Sequence, residues 1–418
     1  MLHRTGRQVG PLMALRGIPQ HTTQDGARTF AELGLSPELV EAVERLGLLQ
    51  PTPIQALVVP LALAGGDLVG LAQTGSGKTA AFVLPLLDMI EPEGGVQALI
   101  VCPTREIALQ TAEFVGAVGN EVGLRAAALI GGVALRPQIQ ALEREGVELV
   151  IATPGRLLDH VRRRTVRLDA VTDLVLDEAD HMLDLGFLPQ VRDILEELPK
   201  ERRTMMFSAT LPPAIERLAH RFMRDPAMVD LRSETHARPG VEHQLYLVDP
   251  ADKKACLLAL VAEEKTGSIL VFMRRRVDAD WACRQLSLEG HAVERMHADR
   301  QQRHREEALE GFRRGDLRIL VATDLAARGI DVPTIEHIIN FDVPATVEDY
   351  IHRSGRTARG SMGGIVSTIA TWRDKSMIQS IESALGEELP RLVAPGVAPW
   401  VEAKTPSRAQ TRSRRRLL

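Results

Sequence analysis

Short apolar runs alternate along the chain with stretches of helical periodicity, and each run is followed by a polar cluster. Leu68–Leu71 leads into AQTGSGKT, Ala98–Val101 into CPTRE, Leu149–Ile151 into ATPGR, Leu174–Leu176 into DEAD and Met205–Phe207 into SAT. Runs of this length, bounded by turn residues and spaced by helical stretches, predict strands of βαβ units in parallel sheets. Ligands of open α/β sheets bind at the carboxyl ends of the strands, so these five clusters should converge on one sheet edge. A second series follows: Ile269–Phe272 before MRRR, Val293–Met296 before HAD, Ile319–Val321 before ATDLAARGID, and Ile338–Phe341 before DVP. Between the two series lies RSETHARPG, Arg232–Gly240, polar and ending in Pro-Gly, which reads as a linker.

The expected organisation is therefore two similar α/β domains, 29–231 and 241–385, joined by a linker at 232–240. A basic leader, 1–28, and a basic tail, 386–418, are expected to be disordered. Lys404–Leu418 alone carries six positive charges and no acid. For the leader, an organellar transit peptide is the alternative reading.

Composition narrows the function. The 51 basic residues are balanced by 55 acidic ones, giving a net charge of −4, so any nucleic-acid contact must come from local patches. Three cysteines at unrelated spacings, Cys102, Cys256 and Cys283, fit neither a disulfide framework nor a zinc site. No apolar run approaches the roughly 18 residues of a membrane span, so the chain reads as cytoplasmic and without a membrane partner. Trp281, Trp372 and Trp400 are expected to be packing residues, because no segment interleaves aromatic with basic residues as a base-stacking platform would.

The chemistry starts at Ala72–Thr79, which fits the phosphate loop GxxxxGK[ST] with alanine at its first position and stands between a strand and a helix. Thr74, Gly75, Ser76 and Gly77 would wrap backbone N–H groups around phosphate oxygens. Lys78 would reach the β and γ phosphates, and Thr79 would offer its hydroxyl to Mg²⁺. Asp177 and Glu178, after a buried run, offer one carboxylate for hydrated magnesium and one to take a proton from the attacking water. Upstream, the segment Phe30–Gln55 ends in a Pro-flanked glutamine whose amide, both donor and acceptor, suits the edge of adenine.

Together these motifs resemble the DEAD-box ATP-dependent RNA helicases. The order PTPIQ, AQTGSGKT, PTRE, Gly131-Gly132, TPGR, DEAD, SAT, ATDLAARGID and HRSGRTAR is that of the family, and the resemblance covers roughly Phe30 to Ser383. It implies two tandem RecA-like domains, each a mainly parallel sheet flanked by helices, with ATP and Mg²⁺ bound in the cleft between them. It further implies adenine contacts at Phe30 and Gln55 and a ribose contact at Asp331. Asp177 would organise the metal, Glu178 would be the general base, and Asp180, Ser208 and Thr210 would couple hydrolysis to RNA handling. Thr104, Arg105, Gly132, Thr153, Gly155, Arg156, Gln302, Arg305 and Thr323 would hold RNA.

The segment HRSGRTARG, His352–Gly360, places three arginines at intervals of three. Thr346 is an expected helix N-cap before Val347–Ser354, with Gly355 as the stop. His352 then ends a helix, and Arg356 and Arg359 lie beyond it. The resemblance makes these three catalytic, the arginines acting as fingers on the charge that develops at the γ-phosphoryl group. RNA, single-stranded or in short duplexes, would be the partner and would favour closure of the two domains, and proteins of ribosome assembly or RNA decay are compatible further partners. An ATP-gated RNA clamp uses the same residues. A DNA helicase or other two-domain motor is disfavoured by the Phe30–Gln55 and DEAD combination. Three departures from the family pattern stand out: Leu48 in place of an aromatic, Ala298 in place of glycine, and Arg274–Arg276 in place of a threonine-bearing segment. The last should add charge and alter RNA affinity.

Overall fold

The computed structural model describes residues 29–400, except 73–74, 93–94, 144–146, 233–239, 264–266, 298, 301, 328–334, 358–362 and 399. The chain divides into two compact units, Met1–Thr235 and His236–Leu418. Most of the expected linker, the basic leader and residues 401–418 lie outside the described residues.

In the first unit seven parallel strands form one sheet: β1 (Leu68–Leu71), β2 (Ala98–Val101), β3 (Ala126–Leu129), β4 (Leu149–Ala152), β5 (Asp173–Leu176), β6 (Arg203–Ser208) and β7 (Ala227–Asp230). Their order across the sheet is β3-β4-β2-β5-β6-β1-β7. The strands are predominantly apolar because helices cover both faces, as all-parallel sheets require. Successive residues of β1 show it: Leu68 packs into one core, while Val69 and Leu71 pack into the other. Because β5, β6 and β1 are neighbours, the residues after them, Asp177, Ala209 and Ala72, leave the sheet side by side.

The second unit repeats this plan. Its strands are β8 (Val241–Leu247), β9 (Ser268–Met273), β10 (Val293–Met296), β11 (Ile319–Thr323), β12 (Ile335–Asn340), β13 (Gly364–Ala370) and β14 (Arg391–Leu392). Their order is β10-β11-β9-β12-β13-β8-β14. Adding seven to each strand number of the first sheet reproduces the second.

Two expectations need correction. Residues 386–400 are not a disordered tail: β14 pairs with β8 at Arg391↔Leu245, Leu389, Ala394 and Val397 are buried, and the Trp400 N–H donates to the Leu247 carbonyl at 3.0 Å. Isolated apolar residues without periodicity carry no strand or helix signature, yet they suffice to close an edge. Trp372 is not a packing residue. It is 51% exposed, with the Arg373 guanidinium 5.1 Å from its ring centre. Trp281 does pack, 6.5 Å from the Phe341 ring.

Candidate functional site

The loop after β1 leads directly into the helix Lys78–Met89, so the first helical N–H groups face the space beyond the strand ends. Gly75 and Gly77 have φ values of 77° and 94°, a left-handed backbone that disfavours side chains. At Gly77 space is short as well: a Cβ would lie 2.5 Å from Gln55 Nε2 and 2.7 Å from Thr52 Oγ1. Gln55 is buried and engaged in the architecture through both ends of its amide. Its Oε1 accepts from the Thr52 N–H at 2.9 Å, capping the helix Pro53–Leu63, and its Nε2 donates to the Gly77 carbonyl at 3.1 Å. The glutamine expected at adenine thus also grips the phosphate loop. Phe30 is only 2% exposed and lies in the core. Lys78 is buried and donates Nζ to the Ala72 carbonyl at 2.7 Å. Thr74 lies outside the described residues.

Two strands away, Asp177 follows β5. Burial first, and then the charge of Glu178, push its carboxyl up to about 7 against the pull of Lys78. Glu178 has φ 48° and ψ 56°, a left-handed backbone rare for a residue with a side chain. Its N–H donates to Asp177 Oδ1 at 3.0 Å, and its Oε2 accepts from His181 Nδ1 at 2.9 Å. Asp180 reaches the end of β6. Its Oδ2 accepts from the N–H groups of Ala209 and Thr210 at 3.2 and 2.9 Å and from Thr210 Oγ1 at 3.0 Å, while its own N–H donates to Ser208 Oγ at 3.2 Å. The acidic strand end and the SAT segment are therefore one hydrogen-bonded body.

The residues fit a magnesium nucleotide. Ser76 Oγ is buried with no hydrogen-bond partner, and a divalent cation beside Asp177 would reverse the electrostatics that raise its proton affinity. Magnesium is ordinarily held by one or two carboxylates together with substrate phosphates. Asp177 would supply the carboxylate, and Thr79, in the first helical turn, the hydroxyl.

A second set of expected residues gathers at the ends of β2, β3 and β4. Thr104 caps the helix Arg105–Gly119, its hydroxyl accepting from the Ile107 N–H at 3.3 Å. The Arg105 guanidinium covers Gly132, where φ is 73° and a Cβ would meet Nη1 at 2.4 Å. Thr153 Oγ1 accepts from the Gly131 N–H at 3.3 Å, and Arg156 Nη2 donates to the Val133 carbonyl at 2.9 Å. Gly155 is exposed with open space around it. Three motifs separated in sequence thus form one surface of hydroxyls, amides and guanidinium groups, the set that suits phosphate and sugar oxygens.

In the second unit the expected helix Val347–Ser354 is present, with Thr346 Oγ1 accepting from the Asp349 N–H at 3.0 Å. Gly355 ends it with φ −65°, not with a left-handed turn. The three arginines differ. Arg353, buried, forms a fork with Asp324 at 2.6 and 2.8 Å and also donates to Asn340 Oδ1 at 2.8 Å and to the Asp342 carbonyl at 2.9 Å. It is a structural anchor. Arg356 is 5% exposed in the turn after the helix, and His352 is half-buried on it. Arg359 and Asp331 lie outside the described residues. Thr323 ends β11 and is buried; Gln302 and Arg305 stand on the helix Gln302–Arg313.

Two of the three arginines after β9 are paired with carboxylates, so the run adds less free charge than its sequence suggests. Arg274 donates its N–H to Asp342 Oδ2 and Nη2 to the Val343 carbonyl, both at 2.9 Å, Arg275 pairs with Asp278 at 2.6 Å, and Arg276 pairs with Asp299. Ala298 is outside the described residues, and Leu48 packs against the core.

Sequence reasoning missed His181, Thr52, Arg353 and the Lys253–Asp342 pair. The first had a signal: three residues after Glu178, at the start of a helix, its side chain returns over the preceding turn.

Comparison with known proteins fits this arrangement. The DEAD/DEAH box helicase family profile matches residues 52–218, and the helicase conserved C-terminal domain matches 252–361. The chain is 40% identical over 378 residues to the DEAD-box ATP-dependent RNA helicase CshA of Bacillus licheniformis, covering 90% of this chain and 77% of that protein. The chain belongs to the DEAD-box ATP-dependent RNA helicases. The Bacillus subtilis CshA helicase is also 40% identical, over 369 residues, 88% of this chain and 74% of that one. Among solved structures, S. cerevisiae Dbp5 bound to RNA and ADP BeF3 superposes with a TM-score of 0.81 at 30% identity, covering 88% of this chain and 96% of that one. Mss116p bound to ssRNA and AMP-PNP gives 0.78 at 26%, covering 90% of this chain and 81% of that one. As a helicase of this family the chain hydrolyses ATP, and both units have the tandem RecA-like fold. Among the described residues no helix is long and apolar enough to cross a membrane.

Proposed function

We propose that this helicase couples RNA-stimulated ATP hydrolysis to the local opening of short RNA duplexes or the remodelling of RNA–protein complexes. The observation that carries this reading is the Asp180 link between the acidic strand end and Ser208–Thr210, because it ties the residues beside the phosphate loop to a neighbouring strand end. The Gly75–Thr79 backbone and Lys78 hold the triphosphate, and Thr79 and Asp177 would hold magnesium, whose contribution would be to neutralise charge on the phosphate oxygens. Glu178 accepts the proton of the attacking water. Arg356 and Arg359, with His352, come from the second unit and meet the charge on the γ-phosphoryl oxygens. Phe30 and Gln55 select adenine, and Asp331 holds the ribose.

Thr104, Arg105, Gly132, Thr153, Gly155 and Arg156 hold RNA through its backbone, joined by Gln302, Arg305 and Thr323, so sequence selectivity is low. The site of action is the cytoplasm, with proteins of ribosome assembly or RNA decay as further partners. The test is ATP turnover with and without single-stranded RNA, for the natural chain and for Glu178→Gln. Turnover should rise with RNA in the first; the second should retain RNA in the presence of ATP without turnover. Equal turnover in the two proteins would remove Glu178 as the base.

A further inference from the structure

The acid assigned as the base is held by a side chain that none of the expected site residues includes. Glu178 is one of only three non-glycine residues with positive φ among those described, so its backbone does not adopt the direction an ordinary helix entry would give its side chain. His181, on the next turn, holds the carboxylate. Its Nδ1 lies 2.9 Å from Glu178 Oε2, and both side chains are sheltered, at 4% and 15% exposure. A carboxylate can only accept, so Nδ1 carries the proton and donates.

The other ring nitrogen, Nε2, is buried without a hydrogen-bond partner. The unpartnered nitrogen indicates that the imidazole is not present for packing alone. An aliphatic side chain of similar volume would fill the space without burying an unsatisfied acceptor.

We propose that His181 is a positioning residue for Glu178: its Nδ1–H pins one carboxylate oxygen and limits rotation of the group, so that the base meets the water in a single orientation. The inference rests on the reading of Glu178 as the base. Asp180 supports the same turn from the other side, its Oδ1 accepting from the His181 N–H at 3.0 Å while its Oδ2 holds the end of β6. The orienting contact is therefore built onto the element that links hydrolysis to the SAT segment.

The experiment compares His181→Leu, which removes the donor, with His181→Asn, whose amide nitrogen is attached at the same branch point as Nδ1 and can still donate. With saturating ATP and single-stranded RNA, kcat of His181→Leu should fall about tenfold or more, the scale expected when a reacting group loses its alignment. KM for ATP and the RNA concentration at half-stimulation should stay unchanged, and His181→Asn should recover kcat to within about threefold of the natural chain. In a Glu178→Gln background, His181→Leu should leave the ATP-dependent retention of RNA unchanged, because the histidine acts on hydrolysis through that one carboxylate. A kcat for His181→Leu equal to that of the natural chain, or lost RNA retention in the Glu178→Gln background, would overturn the inference while leaving Glu178 as the base. Failure of Glu178→Gln to lower turnover would remove the base assignment itself. A fall in both His181 variants with a raised KM for ATP would show that the histidine merely supports the fold, and would also overturn the inference.

Discussion

Lys78 opens the helix after the first strand of its unit, and Lys253 opens the helix Lys253–Glu263 after the first strand of the other. Asp177 follows β5, and Asp342 lies two residues past the end of the corresponding strand, β12. The same wiring thus places a lysine and an aspartate at corresponding strand ends in both units. In the second unit they close on each other, with Lys253 Nζ 2.8 Å from Asp342 Oδ1. Burial alone would raise the Asp342 carboxyl, but the charge and hydrogen bond of Lys253 and the Arg274 N–H outweigh it and hold it below the ordinary range. In the first unit a glycine loop stands between β1 and the helix, Lys78 is turned onto the Ala72 carbonyl, and Asp177 is left with a raised proton affinity. The loop decides whether a lysine–aspartate pair is a brace or a waiting anion site. It costs stability, because a charge kept apart from its counterpart in a buried place is unfavourable until a ligand arrives.

The sharpest way to break this comparison is to remove each lysine. Lys78→Ala should lower ATP turnover by about 100-fold or more with little change in the urea midpoint, since it deletes a phosphate contact. Lys253→Ala should leave KM for ATP near its natural value and cost about 1–3 kcal/mol of stability by leaving Asp342 without its partner. Equal turnover losses in the two variants would dissolve the distinction.

Acid offers a second contrast. The second unit buries His337 in β12, where burial first and then the charge of Arg318 lower its pKa to about 4. Folded, it stays neutral to about that pH, whereas the unfolded chain takes up a proton near the ordinary value of 6.5. Between those values the unfolded state binds more protons, so stability should fall as pH drops from about 6.5 to 4, by a total on the order of 3 kcal/mol. Urea midpoints at pH 7 and 5 should differ less in His337→Gln than in the natural chain. The smallest effect is expected at Arg275→Thr. The exposed arginine is already paired with Asp278, so the RNA concentration at half-stimulation of ATP turnover should move by less than about twofold.

The strand ends could be read from the sequence because most motifs follow a short apolar run, and the phosphate loop because Gly75, Gly77 and Lys78 carry their chemistry within one turn. The order of strands could not, since nothing local to Leu68–Leu71 says that Met205–Phe207 lies beside it. The Lys253–Asp342 brace joins residues far apart in the chain, and Asp342 in the sequence is simply an acid before Val-Pro. The arginine run 274–276 looked like added charge because the contacts of Arg274 and Arg276, at Asp342, Val343 and Asp299, come from distant parts of the chain, although Asp278 stands only three residues from Arg275. The divided roles of Arg353 and Arg356 were hidden for the opposite reason: equal spacing made them look alike, and only the fork onto Asp324 separates them.

In each sheet the last strand lies against the first, β7 beside β1 and β14 beside β8. A nascent chain therefore cannot finish its first sheet until Asp230 has been synthesised, and needs nothing from beyond it to do so. Ribosomes would then take roughly 10–40 s to complete the second unit. That interval lets the first sheet close before the second, identically wired set of strands is complete.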